Sequence, residues 1–402
     1  MTRKRIAITG LGGLCAIGAD APSIWRSMSQ GHCGLRELTI DRRDLKTNFG
    51  GQISVLDDSA IDPKQRVSMG RSAVLAVLAA REAVTSAGLD LRTIDPKRVG
   101  AVVGVAVWGS DAVDEAYRDV FLEGKKRVSI FTVPRGMPSA PAAQVGIHLE
   151  LRGPVVGVTT ACSSANHAIA AAVDHLRLGR ADVMLAGGAD APLQYGVLKA
   201  WEAMRVLARD ACRPFSADRD GLVLAEGAGM AVLETWEHAV ARGATILAEL
   251  AGCGLSTDAG DIVSPTLEGP IEAIRGCLED AGASADAVDY INAHGTATKM
   301  NDRMETQAIR SVFGAHAARL NVSSTKSMHG HCLGASGAIE MIACVNAIRH
   351  GIVPPTIGYT TADPDCDLNV TVNVAQERRV DLALSNAFAF GGMNAVIAFR
   401  KV

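Results

Sequence analysis

The stretch REAVTSAGLDLRTIDPKRVGAVVG at residues 81–104 has a counterpart at 275–295, RGCLEDAGASADAVDYINAHG. Each reads as a helix end, an Ala-Gly stop, a short acidic loop and a strand. Gly88 and Gly282 fit the position just past a helix, where a left-handed residue costs least without a Cβ. Further on, a strand, a small polar loop and an Ala-rich helix recur as GVTTACSSANHAIAAAV and NVSSTKSMHGHCLGASGAIEMIACVNAI. A third pair is ADVMLAGGADAP and LALSNAFAFGGMNAVIAFR. Strand-like runs alternating with longer helical ones define an α/β chain. Two similar halves are expected, 1–244 and 245–402. The spacing leaves about 30 more residues in the first half, so an insertion is expected at about 105–150. Chance likeness between Ala/Gly-rich segments is the competing account.

The 402 residues are 48% hydrophobic, 21% charged and only 4% aromatic, so the core must be built from Ala, Val and Leu. A net charge of −3 argues against general nucleic-acid binding. Nine scattered cysteines without a C-x-x-C pair point to a reducing compartment, not a disulfide framework or zinc site. MTRKR followed by IAITGLGGLCAIGADA imitates a signal peptide, but glycines 10, 12, 13 and 18 make a poor helical h-region. A buried strand at 5–9 entering a tight glycine turn is the preferred reading. The longest apolar stretch elsewhere, VGAVVGVAVWG, is too short to span a bilayer, so no transmembrane segment and a cytoplasmic location are expected. GLGGLCAIG is not a dinucleotide fingerprint, because Cys15 stands where its third glycine is required.

Four segments carry chemistry. Cys162 precedes a helix that buries Ile169, Val173 and Leu176 and stops at Gly179. At such a helix start, unpaired N–H groups and the macrodipole favour a thiolate, lower its pKa and offer an oxyanion donor. A buried filler cysteine is the alternative. His294, in DYINAHGTAT, ends a strand beside flexible backbone and hydroxyls, and reads equally as a titratable site group or a core histidine. Lys326, His329 and His331 precede a second Ala-rich helix, a setting suited to anion stabilisation and proton control. No acidic or cysteine cluster of ligand spacing supports a metal there. His329 reads as structural or solvent-facing. Phe388 and Phe390, ahead of a Gly-Gly turn, could gate an apolar cavity or simply pack a strand end.

In this order, TACSS, GRADVMLAGGAD, CRPFSADRDGLVLAEGAGMAVLE, NAHGTAT, VSSTKSMHGHCLGASGAIE and SNAFAFGGMNA resemble the β-ketoacyl-acyl-carrier-protein synthases. Within that family, IFTVPRGMPSA and GVLKAWEAMRVLA resemble the rhizobial nodulation protein E group. The resemblance implies the thiolase fold, a duplicated α-β-α-β-α five-layer sandwich. It also implies a KAS II-like acyltransferase of fatty acid or specialised, including polyunsaturated, acyl-chain biosynthesis. Cys162 would carry the acyl chain. His294 and His331 would hold the malonyl thioester oxygen during decarboxylation. Backbone N–H groups of Cys162 and Phe390 would bind the oxyanion, with Phe388 and Gly391 in the gate.

Lys326 would pair with Glu305, and Asp302 would be a nearby structural acid. Thr296 and Thr298 would bind the pantetheine arm, while Val107 and Trp201 would line the acyl pocket. No cofactor is required, since 4′-phosphopantetheine arrives on the carrier protein. Asn292, Glu340, Ser385 and Asn386 match positions around a structural Na⁺ or K⁺ in some members.

Acyl carrier protein, loaded with acyl or malonyl groups, is the implied partner. Lys125, Lys126, Arg127 and Arg205, with Arg66 and Arg71, are its docking candidates. A homodimer is expected, with a chain-length-factor heterodimer as the variant. The sequence departs from the family where Ala389 replaces a gate glycine, Met393 a threonine, Trp201 a phenylalanine and Val107 an isoleucine. A non-catalytic chain-length factor would lack Cys162. A thiolase would place a second cysteine in AFGGMN, and a cysteine hydrolase would leave Lys326 and His331 unexplained.

Overall fold

The computed structural model describes residues 4–40 and 43–402; the first residues of the basic start, Met1 to Arg3, lie outside them. Ten strands carry the frame. They are β1 (Ile6–Cys15), β2 (Val99–Gly104), β3 (Val155–Val158), β4 (Val183–Asp190) and β5 (Gly227–Thr235), then β6 (Ala248–Thr257), β7 (Tyr290–Asn292), β8 (Asn321–Ser323), β9 (Leu382–Ala389) and β10 (Met393–Arg400). Their order across the sheet is β8-β7-β9-β10-β6-β1-β5-β4-β2-β3. The order reverses about the β6–β1 seam, so each half has the same five-strand pattern. In both, the second strand runs parallel to the third and fourth, while the fifth is antiparallel to the fourth and the first. Duplication, read from the sequence as an echo, is therefore built into the hydrogen-bonded ladder. The seam itself is short, pairing Ile6, Ala7 and Ile8 with Leu250, Glu249 and Ala248.

Seven principal helices are α1 (Arg71–Ser86), α2 (Ser110–Phe121), α3 (Ser164–Arg177), α4 (Tyr195–Met204), α5 (Glu268–Ala281), α6 (Lys299–Phe313) and α7 (Ser336–His350). Helices α3 and α7 contact each other and strands of both halves, while α1 packs outside the first half and α5 outside the second. That arrangement is the five-layer sandwich of the thiolase fold. Every residue of α7 from Ser336 to Ile348 is buried, which explains its small and apolar composition on all faces. The chain between β2 and β3 carries three helices against one between β7 and β8, so the extra length of the first half falls there.

One expectation is corrected. The N-terminal strand does not stop at Thr9 for a glycine turn; β1 runs on to Cys15. The glycines serve helix packing instead. A Cβ at Gly10 or Gly12 would lie 2.2 or 2.1 Å from a carbonyl oxygen of α1, and one at Gly252 or Gly254 would lie 2.5 or 2.0 Å from α5. The two halves thus share the same backbone-to-backbone approach. Gly88 and Gly282 both adopt φ +57°, as expected past a helix end. All nine cysteines are free thiols. Among the described residues no helix is long and apolar enough to cross a membrane.

Candidate active site

Strand β3 delivers the chain into a tight turn, Ala161–Ser163, from which α3 begins. Ala161 is held at φ +49°, strained for an L residue, with its carbonyl taking the Ser164 Oγ hydrogen bond at 2.7 Å. The second half repeats the device, with Leu333 at φ +46° just before α7. Cys162 is only 7% exposed. The expected lowering of its pKa is reversed: burial pushes the thiol up to about 12, with Lys326 acting as a weaker downward pull. Desolvation of the anion outweighs the helix start. The resting group is a thiol.

His294 follows the end of β7. Its backbone N–H and that of Gly295 each donate to one oxygen of Glu305 on α6, both at 2.8 Å. His331 lies between a short helix, Lys326–His329, and the strained turn at Leu333. Leu333 N–H donates to His331 Nδ1 at 3.2 Å, and Ser336 Oγ lies 2.9 Å from the same nitrogen. A backbone N–H can only donate, so Nδ1 is the acceptor and the proton of the neutral ring sits on Nε2. The two imidazoles stand 5.5 Å apart, nearly perpendicular at 82°. Burial first, then the Lys326 charge and a neighbouring histidine, hold both well below the ordinary histidine range. Neutral imidazoles can donate hydrogen bonds to a developing anion without transferring a proton.

Lys326 is fully buried, and its partner is Glu340 on α7. The expected pairing with Glu305 is not formed. Glu305 is already committed to the His294 and Gly295 N–H groups and to Asn386 Nδ2, at 3.0 Å. Asp302 has partners of its own: its Oδ2 accepts Phe215 N–H at 2.8 Å and lies 3.5 Å from Arg219 Nε. His329 is buried, not solvent-facing, with Nε2 3.1 Å from Thr325 Oγ1.

Behind this group four oxygens are buried without a hydrogen-bond partner: Asn292 Oδ1, Glu340 Oε2, Ser385 Oγ and Asn386 Oδ1. Asn292 and Ser385 face each other across β7 and β9. All four are hard oxygen donors, one formally charged, and fit a monovalent cation. Bound there, such an ion would offset the excess of buried carboxylate over the single Lys326 charge. Among the described residues no cluster of His, Cys, Asp and Glu could hold another metal.

Cys162, His294 and His331 open into one cavity of about 490 Å³, lined also by Trp201, Arg205, Thr296, Thr298, Phe388, Phe390 and Gly391. Lys326, Glu305 and Asp302 stand behind its wall, and Val107 packs in the apolar cluster around Cys162. Phe388 meets the His294 ring at 6.1 Å, and Phe390 stacks on Trp201 at 6.0 Å. Ala389 holds an ordinary extended conformation, and positive φ begins at Gly391 and Gly392. The turn at Phe390 packs against the Cys162 turn. Thr296 and Thr298 hydroxyls lie 3.0 Å apart at the cavity wall.

One contributor escaped sequence reasoning. The loop at 258–265 covers the gate: Asp258 N–H donates to Gly392 O, Gly391 N–H to Ile262 O, and Asn394 Nδ2 to Asp258 Oδ1 at 2.7 Å. Its only sequence signal is a polar, irregular run, STDAGDIVSP, after a strand.

The docking candidates divide. Lys125 is paired with Asp119 and Glu123, both at 2.8 Å, so its charge is largely spent locally. Arg71 is tied to Glu226 and Arg66 to Asp58. Lys126 and Arg127 are exposed, and Arg205 sits on the cavity rim.

Residues 3–239 match the family model for the β-ketoacyl synthase N-terminal domain, and 247–360 match that for the C-terminal domain. The chain belongs to the β-ketoacyl synthase family. Nodulation protein E of Rhizobium sp. (strain N33) is 60% identical over 400 residues, covering 99% of this chain and all of that one. A 3-oxoacyl-[acyl-carrier-protein] synthase 2 of Staphylococcus aureus is 39% identical, covering 99% and 98%. The solved ishigamide ketosynthase/chain length factor superposes with a TM-score of 0.96 at 34% identity, with both chains fully covered. A ketosynthase bound to the hexaketide, in complex with its type II polyketide acyl-carrier protein, gives 0.92 at 32%, again over both full chains.

Proposed function

We propose that the protein is a 3-oxoacyl-acyl-carrier-protein synthase acting by decarboxylative condensation. The observation that carries this reading is two mutually perpendicular imidazoles opening, with one buried thiol, into a single cavity. Cys162 sulfur, losing its proton, attacks the carbonyl of an acyl-carrier thioester, and the carrier thiol leaves with a proton. Malonyl-carrier protein then enters. Its C–CO₂ bond breaks, carbon dioxide leaves, and the electron pair becomes an enolate whose oxygen takes N–H donors from His294 and His331. The enolate carbon attacks the acyl-Cys162 carbonyl, whose oxyanion is held by backbone N–H groups of Cys162 and Phe390. Collapse releases 3-oxoacyl-carrier protein and restores Cys162.

Lys326 and Glu340 set the field around the imidazoles without reacting; Asn292, Glu340, Ser385 and Asn386 would hold a Na⁺ or K⁺, whose charge would offset the buried carboxylates. Thr296 and Thr298 take the pantetheine arm, and Arg205, Lys126 and Arg127 receive the acidic carrier. Trp201 stacked on Phe390 narrows the acyl cavity and, with Val107, Ala389 and Met393, gives a chain preference unlike ordinary saturated elongation. The open edge β3 and exposed Phe121, Ile130 and Val133 support a homodimer through the insertion. Likeness to the ishigamide ketosynthase/chain length factor supports a chain-length-factor partner as the second reading. The free cysteines support a reducing, cytoplasmic setting.

The test is incubation with acyl- and malonyl-carrier proteins, following carbon dioxide and 3-oxoacyl product together. Cys162→Gln abolishes condensation while decarboxylation continues. Equal loss of both in a folded variant would overturn the division of roles.

A further inference from the structure

Asp190, the last residue of β4, is fully buried and makes no ion pair among the described residues. Backbone N–H groups stand in for a counter-ion. Oδ2 accepts from Ala106 and Gly334, both at 2.8 Å, and Oδ1 accepts from Val107 at 3.1 Å. The donors come from opposite halves: 106 and 107 follow β2, whereas 334 belongs to the turn between His331 and α7. The second half shows the same device, with Glu305 taking the N–H groups of His294 and Gly295 as they leave β7, the counterpart of β2. Only the first-half carboxylate reaches across to the other half. The two segments it joins are in close contact, since a Cβ on Gly334 would fall 2.5 Å from Ala106 N and 2.8 Å from the carboxylate.

We propose that Asp190 is a positioning residue that fixes, with one carboxylate, both the acyl-cavity wall at Val107 and the orientation of His331. Val107 packs against the cluster containing Cys162, Leu193, Trp201 and Leu333. On the other side, Leu333 N–H sets the His331 tautomer, and Asp190 clamps the next peptide N–H, that of Gly334. Burial lifts the Asp190 carboxyl to about 7, and the groups that pull it back down are backbone N–H donors, Ala106, Val107 and Gly334 among them. Removing an acceptor therefore frees both segments at once. An angstrom of misplacement in a reacting group costs about 10²-fold in rate.

The inference rests on the condensing reading above, and its test separates the two. Turnover of Asp190→Asn is measured on carrier-bound acyl chains of graded length, with malonyl decarboxylation followed in parallel. The expected result is a kcat lower by about 10- to 100-fold for both reactions. KM for malonyl-carrier protein stays within about two-fold, and the ranking of acyl chains changes. Asp190→Glu, which keeps the carboxylate on a longer arm, should recover part of kcat, and it carries the same two readouts if the Asn variant does not fold. A folded variant with wild-type kcat and an unchanged chain ranking overturns the proposal. So does activity that falls only with the folded fraction in both variants. A wild-type protein that fails to condense at all would instead overturn the functional reading.

Discussion

Leu333 donates its backbone N–H to Nδ1 of His331 at 3.2 Å, which leaves the ring's single proton on Nε2. The donor is a residue at positive φ, so a strained peptide fixes the tautomer of an imidazole two residues before it. Burial and the Lys326 charge hold both imidazoles toward the neutral form, and under the proposed function their part is hydrogen-bond donation.

Removing one donor should therefore slow decarboxylation without abolishing substrate entry. For His331→Ala or His294→Ala, malonyl decarboxylation measured as carbon dioxide release is expected to fall by about 10² to 10³. KM for malonyl-carrier protein should change little. A large KM effect with preserved kcat would place the ring in ground-state binding.

The pH dependence follows from the directions of the shifts. Both imidazole pKa values are lowered, so the rings stay neutral from pH 8 down through pH 6.5. Decarboxylation should be flat across that window, and an acid limb centred near 6.5 would contradict it. The Cys162 thiol, raised to about 12, is protonated over the same range. Its alkylation by iodoacetamide, read by peptide mapping to separate it from exposed Cys33, should rise about ten-fold per pH unit from 7 to 10 without a plateau.

Breaking the buried ion pair should cost more than removing it. Lys326→Met leaves Glu340 buried without its partner, and denaturant unfolding should show a loss of about 3–5 kcal/mol. The double variant Lys326→Met, Glu340→Met should be closer to wild type in stability, while remaining poor in catalysis. Additive losses would mean that the pair is not coupled.

Trp201 and Phe390 stack at 6.0 Å within the lining of the cavity that Cys162 opens into. Trp201→Phe should shift the preferred chain toward longer or bulkier acyl groups, with kcat/KM for the longest tested chain rising several-fold. Product analysis by mass spectrometry checks this. An unchanged length profile would remove Trp201 from specificity.

The repeat was legible because helix stops and strand exits use small residues for local reasons that survive in the string, as Gly88 and Gly282 show. The three side chains that meet in the cavity, Cys162, His294 and His331, were legible because each lies on a short polar turn between apolar runs. The Lys326 partner was not, since Glu305 and Glu340 both lie on helices that the local pattern cannot orient, and the choice is made by which N–H groups occupy Glu305. The glycines of β1 were misread as a turn because their cause, the carbonyls of α1, lies some 70 residues away in sequence. The thiol pKa was misjudged for a related reason: a helix start is visible locally, whereas the layers that exclude water from it are not.

The short seam at Ile6–Ile8 has a consequence for how the molecule can be divided. Each half carries its own five-stranded pattern and shares a buried core with the other, yet Cys162 stands in one and His294 and His331 in the other. Severing the connection at 236–247 would yield two fragments that are each chemically silent, and activity regained on mixing them would report directly on how well the copies recognise one another.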